Sequence, residues 1–155
     1  MMKRLYITLL CALAVCMAVS AQSSDKLYKE AKALYDAKNY AAAVPKLKTA
    51  AEKGHKKAQY RLGRCYDKGH GVTENDALAF QWYMKSAKQD YAKAQYQLGK
   101  SYMKGKGAAA DQKKASSWLK KVVKNEKGGK DILAKIRKDA ADGDEDAKSM
   151  LRLIK

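Results

Sequence analysis

The sequence predicts an all-α fold, a right-handed α-solenoid of stacked helical hairpins, and three observations carry that expectation. Residues 57–71 (KAQYRLGRCYDKGHG) return 36 residues later as residues 93–107 (KAQYQLGKSYMKGKG), with ten of fifteen positions identical. Self-similarity at a period of about 20–50 residues marks units that bury their apolar faces against one another. Within each copy, Ala58, Leu62 and Tyr66, then Ala94, Leu98 and Tyr102, recur at intervals of four and so stripe one face of a helix. Alanine, lysine and leucine, all strong helix formers, dominate the chain, which has one proline.

The N-terminal segment reads as a secretory signal peptide. Lys3 and Arg4 precede an apolar run from Leu5 to Val19, and Val19-Ser20-Ala21 supplies small residues for cleavage after Ala21. The run is shorter than the roughly 20 apolar residues that a membrane span needs. Leu13-Ala14-Val15-Cys16 is similar to a lipoprotein cleavage box, but Val15 stands where a small residue is required. The expectation is therefore simple export, periplasmic or secreted, with lipid anchoring at Cys16 as the lesser alternative. Removal of residues 1–21 leaves one domain over 22–155, takes Cys11 and Cys16 with it, and lowers the net charge from +17 to +15. Cys65 is then alone and has no partner for an internal disulfide.

The first unit, residues 27–54, reads as a shorter hairpin in which Tyr35 takes the place of Tyr66 and Lys38-Asn39-Tyr40 forms the turn. Pro45 would cost about 3 kcal/mol inside a helix, so this second helix is expected to kink or to begin nearer Val44. The second unit, residues 57–91, and the third, 93–125, each open with the striped helix. Gly63 and Gly99 sit inside those helices, where glycine costs about 1 kcal/mol, so each implies close approach by a neighbouring helix. Each striped helix stops at Lys-Gly-x-Gly, Lys68 to Gly71 and Lys104 to Gly107, in which a glycine takes the left-handed conformation. Helix termination accounts for both glycines in this reading. A second helix starts near the N-caps Asn75 and Asp111, with Ala79 and Trp82, then Ala115 and Trp118, on its buried face. After the polar break 125–129, residues 130–155 carry two short helices around Asp142-Gly143-Asp144. There Ala147 and Leu151 echo Ala58 and Leu62, so this is a terminal helical cap.

The pattern Ala-x-Tyr-x-Leu-Gly-x-x-Tyr-x-x-Gly-x-Gly, followed by an acidic or amide residue and Ala-x-x-Trp, resembles the Sel-one-like repeat, a relative of the tetratricopeptide repeat. The resemblance covers Lys57 to Tyr91 and Lys93 to Val123, while Leu27 to Gly54 is more similar to a plain tetratricopeptide unit. It implies an adaptor or scaffold for macromolecular assembly and not an enzyme. Some secreted relatives carry a disulfide in each hairpin, and this chain lacks that cysteine pairing.

Little in the chain suggests reaction chemistry, and no cofactor or metal is expected. His55 and His70 are the two histidines. Cys65 and His70 are five apart across a helix end, a spacing that does not share a face, and Cys65 reads as a small buried residue. His55, in the turn between hairpins, is expected to be exposed. The Gly-x-Gly turns follow helices, whereas phosphate-cradling loops follow strands. Asp142, Asp144, Glu145 and Asp146 lack the glycine and distal glutamate of a calcium loop and read as helix caps.

What remains is a surface. Lys57, Tyr60, Arg64 and Lys68 keep to one helix face, and Lys93, Tyr96, Lys100 and Lys104 repeat it one unit later. In the similar tetratricopeptide fold, these positions face a concave groove, so the resemblance implies a basic groove with tyrosines between the charges. It would take an acidic peptide or protein segment. The alternative is that the lysines are a solvated face and the tyrosines pack between hairpins. Lysine outnumbers arginine 28 to 5, which favours diffuse attraction over bidentate recognition. Adhesion to an anionic envelope polymer or glycan is therefore the second expectation, and nucleic acid ranks third because exported proteins seldom meet it. The chain is expected to be monomeric.

Overall fold

The computed structural model describes residues 23–155, which form eight helices and, among the described residues, no strand. The expected signal peptide, with Cys11 and Cys16, lies outside the described residues. Helix α1 covers 23–36 and α2 Tyr40–Glu52; α3 is Lys56–Lys68, α4 Asp76–Ala87, α5 Ala92–Lys104 and α6 Gln112–Lys124; α7 is Gly129–Ala141 and α8 Glu145–Ile154. The first helix of each duplicated unit packs on its hairpin partner and on the second helix of the preceding unit: α3 on α4 and α2, α5 on α6 and α4. The molecule is an α-solenoid of stacked hairpins.

Capping chemistry sets most of the boundaries. Asn75 and Asp111 cap α4 and α6 as expected, their side-chain oxygens accepting from the amides of Leu78 (2.8 Å) and Lys114 (2.9 Å). Asp144 caps α8 in the same way, with Glu145 and Asp146 in its first turn, so the acidic cluster serves a helix start. Asn39 caps α2, and that helix starts at Tyr40 rather than near Val44. Pro45 is exposed, as is Ala41, whose carbonyl would have bonded the missing N–H, so water can satisfy the freed acceptor.

The core is a chain of small clusters, one for each junction. Ala58 and Leu62, then Ala94 and Leu98, are at most 1 % exposed, as the stripes require. The glycines within them do admit a neighbour. A Cβ on Gly63 would lie 2.7 Å from the Tyr83 ring, and one on Gly99 2.7 Å from Leu119. Tyr83 and Leu119, 36 residues apart, are thus the large side chains buried from the second helices. Trp82 and Trp118, expected on that buried face, are only half-buried, and Lys85 and Lys121 lie over their rings at 4.1 and 4.3 Å. The glycine gap receives the residue one place further along the helix.

The Lys-Gly-x-Gly turns do two jobs, which corrects the reading that helix termination explains both glycines. Gly69 and Gly105 end α3 and α5 in the left-handed conformation, φ 64° and 69°. Gly71 and Gly107 also have positive φ, but they dock on the previous unit: a Cβ there would lie 2.8 Å from the Tyr40 backbone and 2.2 Å from the Asp76 carbonyl oxygen. Tyr40 and Asp76 each begin the second helix of the preceding hairpin. The second glycine is therefore a joint between units, and only a residue without a side chain fits it.

A repeated amide clamp fixes the other edge of each junction. Buried Gln59 donates to the Ala51 carbonyl (3.0 Å) and accepts from Gln89 (2.8 Å), whose amide also donates to the Gly54 carbonyl (2.9 Å). One unit later, Asn125 donates to Gln95 (3.2 Å) and to the Asp90 carbonyl (2.9 Å).

His55 is not the exposed turn residue the sequence suggested. Its side chain is 11 % exposed, stacks on Tyr28 at 4.3 Å, and presents Nε2 to Asp25 at 3.0 Å. Its Nδ1 accepts from the Ala58 amide and so caps α3, a role open only to the unprotonated nitrogen. Burial holds its pKa below the ordinary 6.5, with the Asp25 charge opposing. The unfolded chain therefore takes up this proton first. Stability from the cap is full above about pH 6.5 and falls as pH drops from there toward the depressed folded value. Urea midpoints measured between pH 7.5 and 5.5 are expected to fall in the wild type and to flatten in His55→Asn, which keeps a cap without a titrating ring.

Candidate functional site

The solenoid places equivalent positions of α3 and α5 side by side, and this brings four of the eight sequence-selected residues together. Arg64 and Lys68 from α3 and Lys100 and Lys104 from α5 line a cleft of about 280 Å³, joined by Asp67, Gln97, Ser101 and Lys106. Lys57 and Lys93, at the other ends of these helices, are exposed and lie outside it. Tyr60 and Tyr96 lie outside it as well. Tyr60 packs against Tyr83 and Tyr91, with centroids 5.8 and 5.3 Å away, and Tyr96 packs on the cluster of Leu119, Ile136 and Met150. Burial raises the Tyr96 phenol and pushes that of Tyr91 up to about 12, so these rings are neutral packing elements at neutral pH.

The cleft's charges are not equivalent. Lys106 is tied down, with its ammonium 2.7 Å from Asp67, 3.1 Å from Asp76 and 3.9 Å from Glu74, and its pKa is raised, first by the Asp67 hydrogen bond. Burial alone would raise the Asp67 carboxyl, but the bond and charge of Lys106 outweigh it and hold the group below its usual range. Lys68 sits 3.6 Å from the same carboxylate, and Lys104 pairs with Asp146 on α8. Arg64 and Lys100 have no carboxylate partner among the described residues; the Lys100 ammonium lies 5.7 Å from the centre of the Tyr96 ring. The uncommitted positive charge of the cleft therefore rests on these two, at the same position of successive units.

Lys106 and Asp67 escaped the sequence reading. Lys106 is the x of the second Gly-x-Gly, and its counterpart His70 also reaches back, stacking on Tyr40 at 4.2 Å and meeting the Tyr35 hydroxyl at 3.1 Å. That x residue is a contact between units in both copies, and the signal that could have revealed it is its fixed place beside the docking glycine.

Nothing in this arrangement points to a reaction. Burial pushes the Cys65 thiol up to about 11, so it stays protonated and a poor nucleophile. The Tyr83 hydroxyl is buried with no hydrogen-bond partner among the described residues, and burial followed by the Asp67 charge raises its pKa far above neutrality. Among the described residues, no three His, Cys, Asp or Glu side chains are placed to hold a metal ion, and no helix is long and apolar enough to cross a membrane.

Stacked hairpins with a charged cleft between successive first helices define a repeat scaffold. Residues 56–91 and 92–122, which span the α3–α4 and α5–α6 hairpins, match the Sel1 repeat, the family their spacing suggested. A 60-residue stretch is 43% identical to the uncharacterized protein NMB1327 of Neisseria meningitidis serogroup B (strain ATCC BAA-335 / MC58), covering 36% of this chain and 13% of that one. Among solved structures, a Sel1 repeat protein from Oxalobacter formigenes superposes with a TM-score of 0.52 and 34% identity, over 52% of this chain and 62% of the other. A protective antigen of uropathogenic Escherichia coli strains, c5321, which displays an SLR fold, gives 0.61 and 30% identity, over 63% and 22%. The chain thus spans less than two thirds of each of these proteins. Sel1 repeats are in general protein–protein interaction modules, and the family is typically non-enzymatic.

Proposed function

We propose that this chain is an exported interaction scaffold that takes an acidic peptide or protein segment in the cleft between α3 and α5. The observation that carries the reading is the pair Arg64 and Lys100: two cations of successive repeats, open to one cleft and unmatched by carboxylates among the described residues. The remaining cations, held by Asp67 and Asp146, shape the walls and add less net attraction. Export is supported by the charged, apolar and small-residue sequence of residues 1–21, and N-terminal sequencing of the protein recovered from cells tests it by a start at Gln22.

Arg64→Glu with Lys100→Glu tests the site. Reversing both charges is expected to weaken binding of a labelled oligo-glutamate peptide at least about tenfold, some 1.4 kcal/mol, with helical circular dichroism unchanged. A shaped cleft keeps part of its wild-type affinity at high salt, whereas diffuse attraction is screened away. Unchanged binding by the double variant would remove the cleft from the account.

A further inference from the structure

A second, larger cleft of about 500 Å³ opens at the other ends of the same helices. It forms where the start of α3 and the α4–α5 turn meet the last turn of α6 and the residues that follow it. A 13-residue helix is about 20 Å long, so the two clefts lie on opposite edges of the stack.

Its cations are Lys56, Lys121, Lys124 and Lys127, none with a carboxylate in ion-pair contact among the described residues. Lys56 donates to the Gln89 carbonyl (3.2 Å) and Lys121 lies over Trp118, which leaves Lys124 and Lys127 the least committed. The wall also carries the amide clamp. Gln95, 1 % exposed, accepts from Asn125 and donates to Asp90 at 3.3 Å. Both amide hydrogens of Gln89 and both of Asn125 are spent inside the protein. Oxygens are left over: the Gln89 side-chain carbonyl and the carboxylates of Asp90 and Glu126 meet few or no donors among the described residues.

The lining thus offers ammonium donors for an anion beside open acceptors for O–H or N–H groups. Inorganic phosphate brings few donors and faces two carboxylates. An extended peptide supplies one N–H per roughly 3.3–3.6 Å of chain. A sugar ring supplies hydroxyls on adjacent carbons, and the cleft's volume falls in the range of about 300–1,000 Å³ typical of small-ligand sites. We propose that this cleft binds an acidic sugar unit, its carboxylate held by Lys124 and Lys127 and its hydroxyls donating to Gln89, Asp90 and Glu126. The inference stands independently of the α3–α5 cleft.

Calorimetric titration of the protein with oligogalacturonate tests it, beside a neutral galacto-oligosaccharide, oligo-glutamate and inorganic phosphate. The expected result is saturable uronide binding that weakens at least tenfold in Lys124→Gln/Lys127→Gln and is unchanged in Arg64→Glu/Lys100→Glu. Absence of saturable binding would overturn the proposal, as would equal binding of the neutral sugar or of phosphate, or equal binding of oligo-glutamate by the Arg64→Glu/Lys100→Glu variant, in which the α3–α5 cleft is disabled. Loss of uronide binding in the Arg64/Lys100 variant with retention in the Lys124/Lys127 variant would overturn it too.

Discussion

Gly107→Ala is expected to cost about 3 kcal/mol or more, against roughly 1–2 kcal/mol for Gly105→Ala two residues earlier. Both glycines have positive φ, so alanine carries the left-handed penalty at each. They differ in surroundings. A Cβ on Gly105 meets nothing closer than 3.6 Å, whereas one on Gly107 would stand 2.2 Å from the Asp76 carbonyl oxygen, backbone that cannot swing aside. The turn must then lift away from α4, and Lys106 loses its contacts with Asp67 and Asp76. Against a domain stability of about 5–15 kcal/mol, that loss is large. Urea denaturation of the two variants checks it. Equal losses would mean that the second glycine only turns the chain and does not dock the units.

Gln59→Leu is the next largest effect, about 2 kcal/mol, because it strips a buried amide from the clamp and takes away both the side-chain donor to the buried Ala51 carbonyl and the acceptor of the Gln89 amide. Gln89 is exposed, so water can take its freed donor, and the double variant loses the shared bond only once. The Gln59→Leu/Gln89→Leu pair is therefore expected to lose less than the sum of the single variants, by about 1 kcal/mol. Strict additivity in urea midpoints would show that the two amides do not act as a unit.

What was legible in the sequence was local or periodic. The stripes of Ala58 and Leu62 and of Ala94 and Leu98, the caps Asn75 and Asp111, and the close approach at Gly63 and Gly99 depend on residues within a turn or two, or on the repeat itself. The half of the candidate site on Arg64, Lys68, Lys100 and Lys104 followed from the same period. Tyr60 did not, because α3 packs on both α2 and α4 and so has no single polar face; the flank carrying Tyr60 meets Tyr83 of the neighbouring helix. Trp82 was misplaced for a related reason: side-chain size suggested burial, but the gap above Gly63 admits Tyr83. Asp67 and Lys106 were hidden because the repeats differ there, with Met103 and His70 as counterparts. Their pairing across 39 residues appears only once the units are stacked.

Arg64 and Lys100, on successive repeats, are proposed to capture an acidic segment in the cleft between α3 and α5. Amide chemical-shift mapping of the protein titrated with an oligo-glutamate peptide tests it most directly. Saturable shifts that share one dissociation constant and cluster at Arg64, Lys68, Lys100, Lys104 and Lys106 are expected. Shifts confined to another face, or a non-saturating drift spread over the surface lysines, would contradict it.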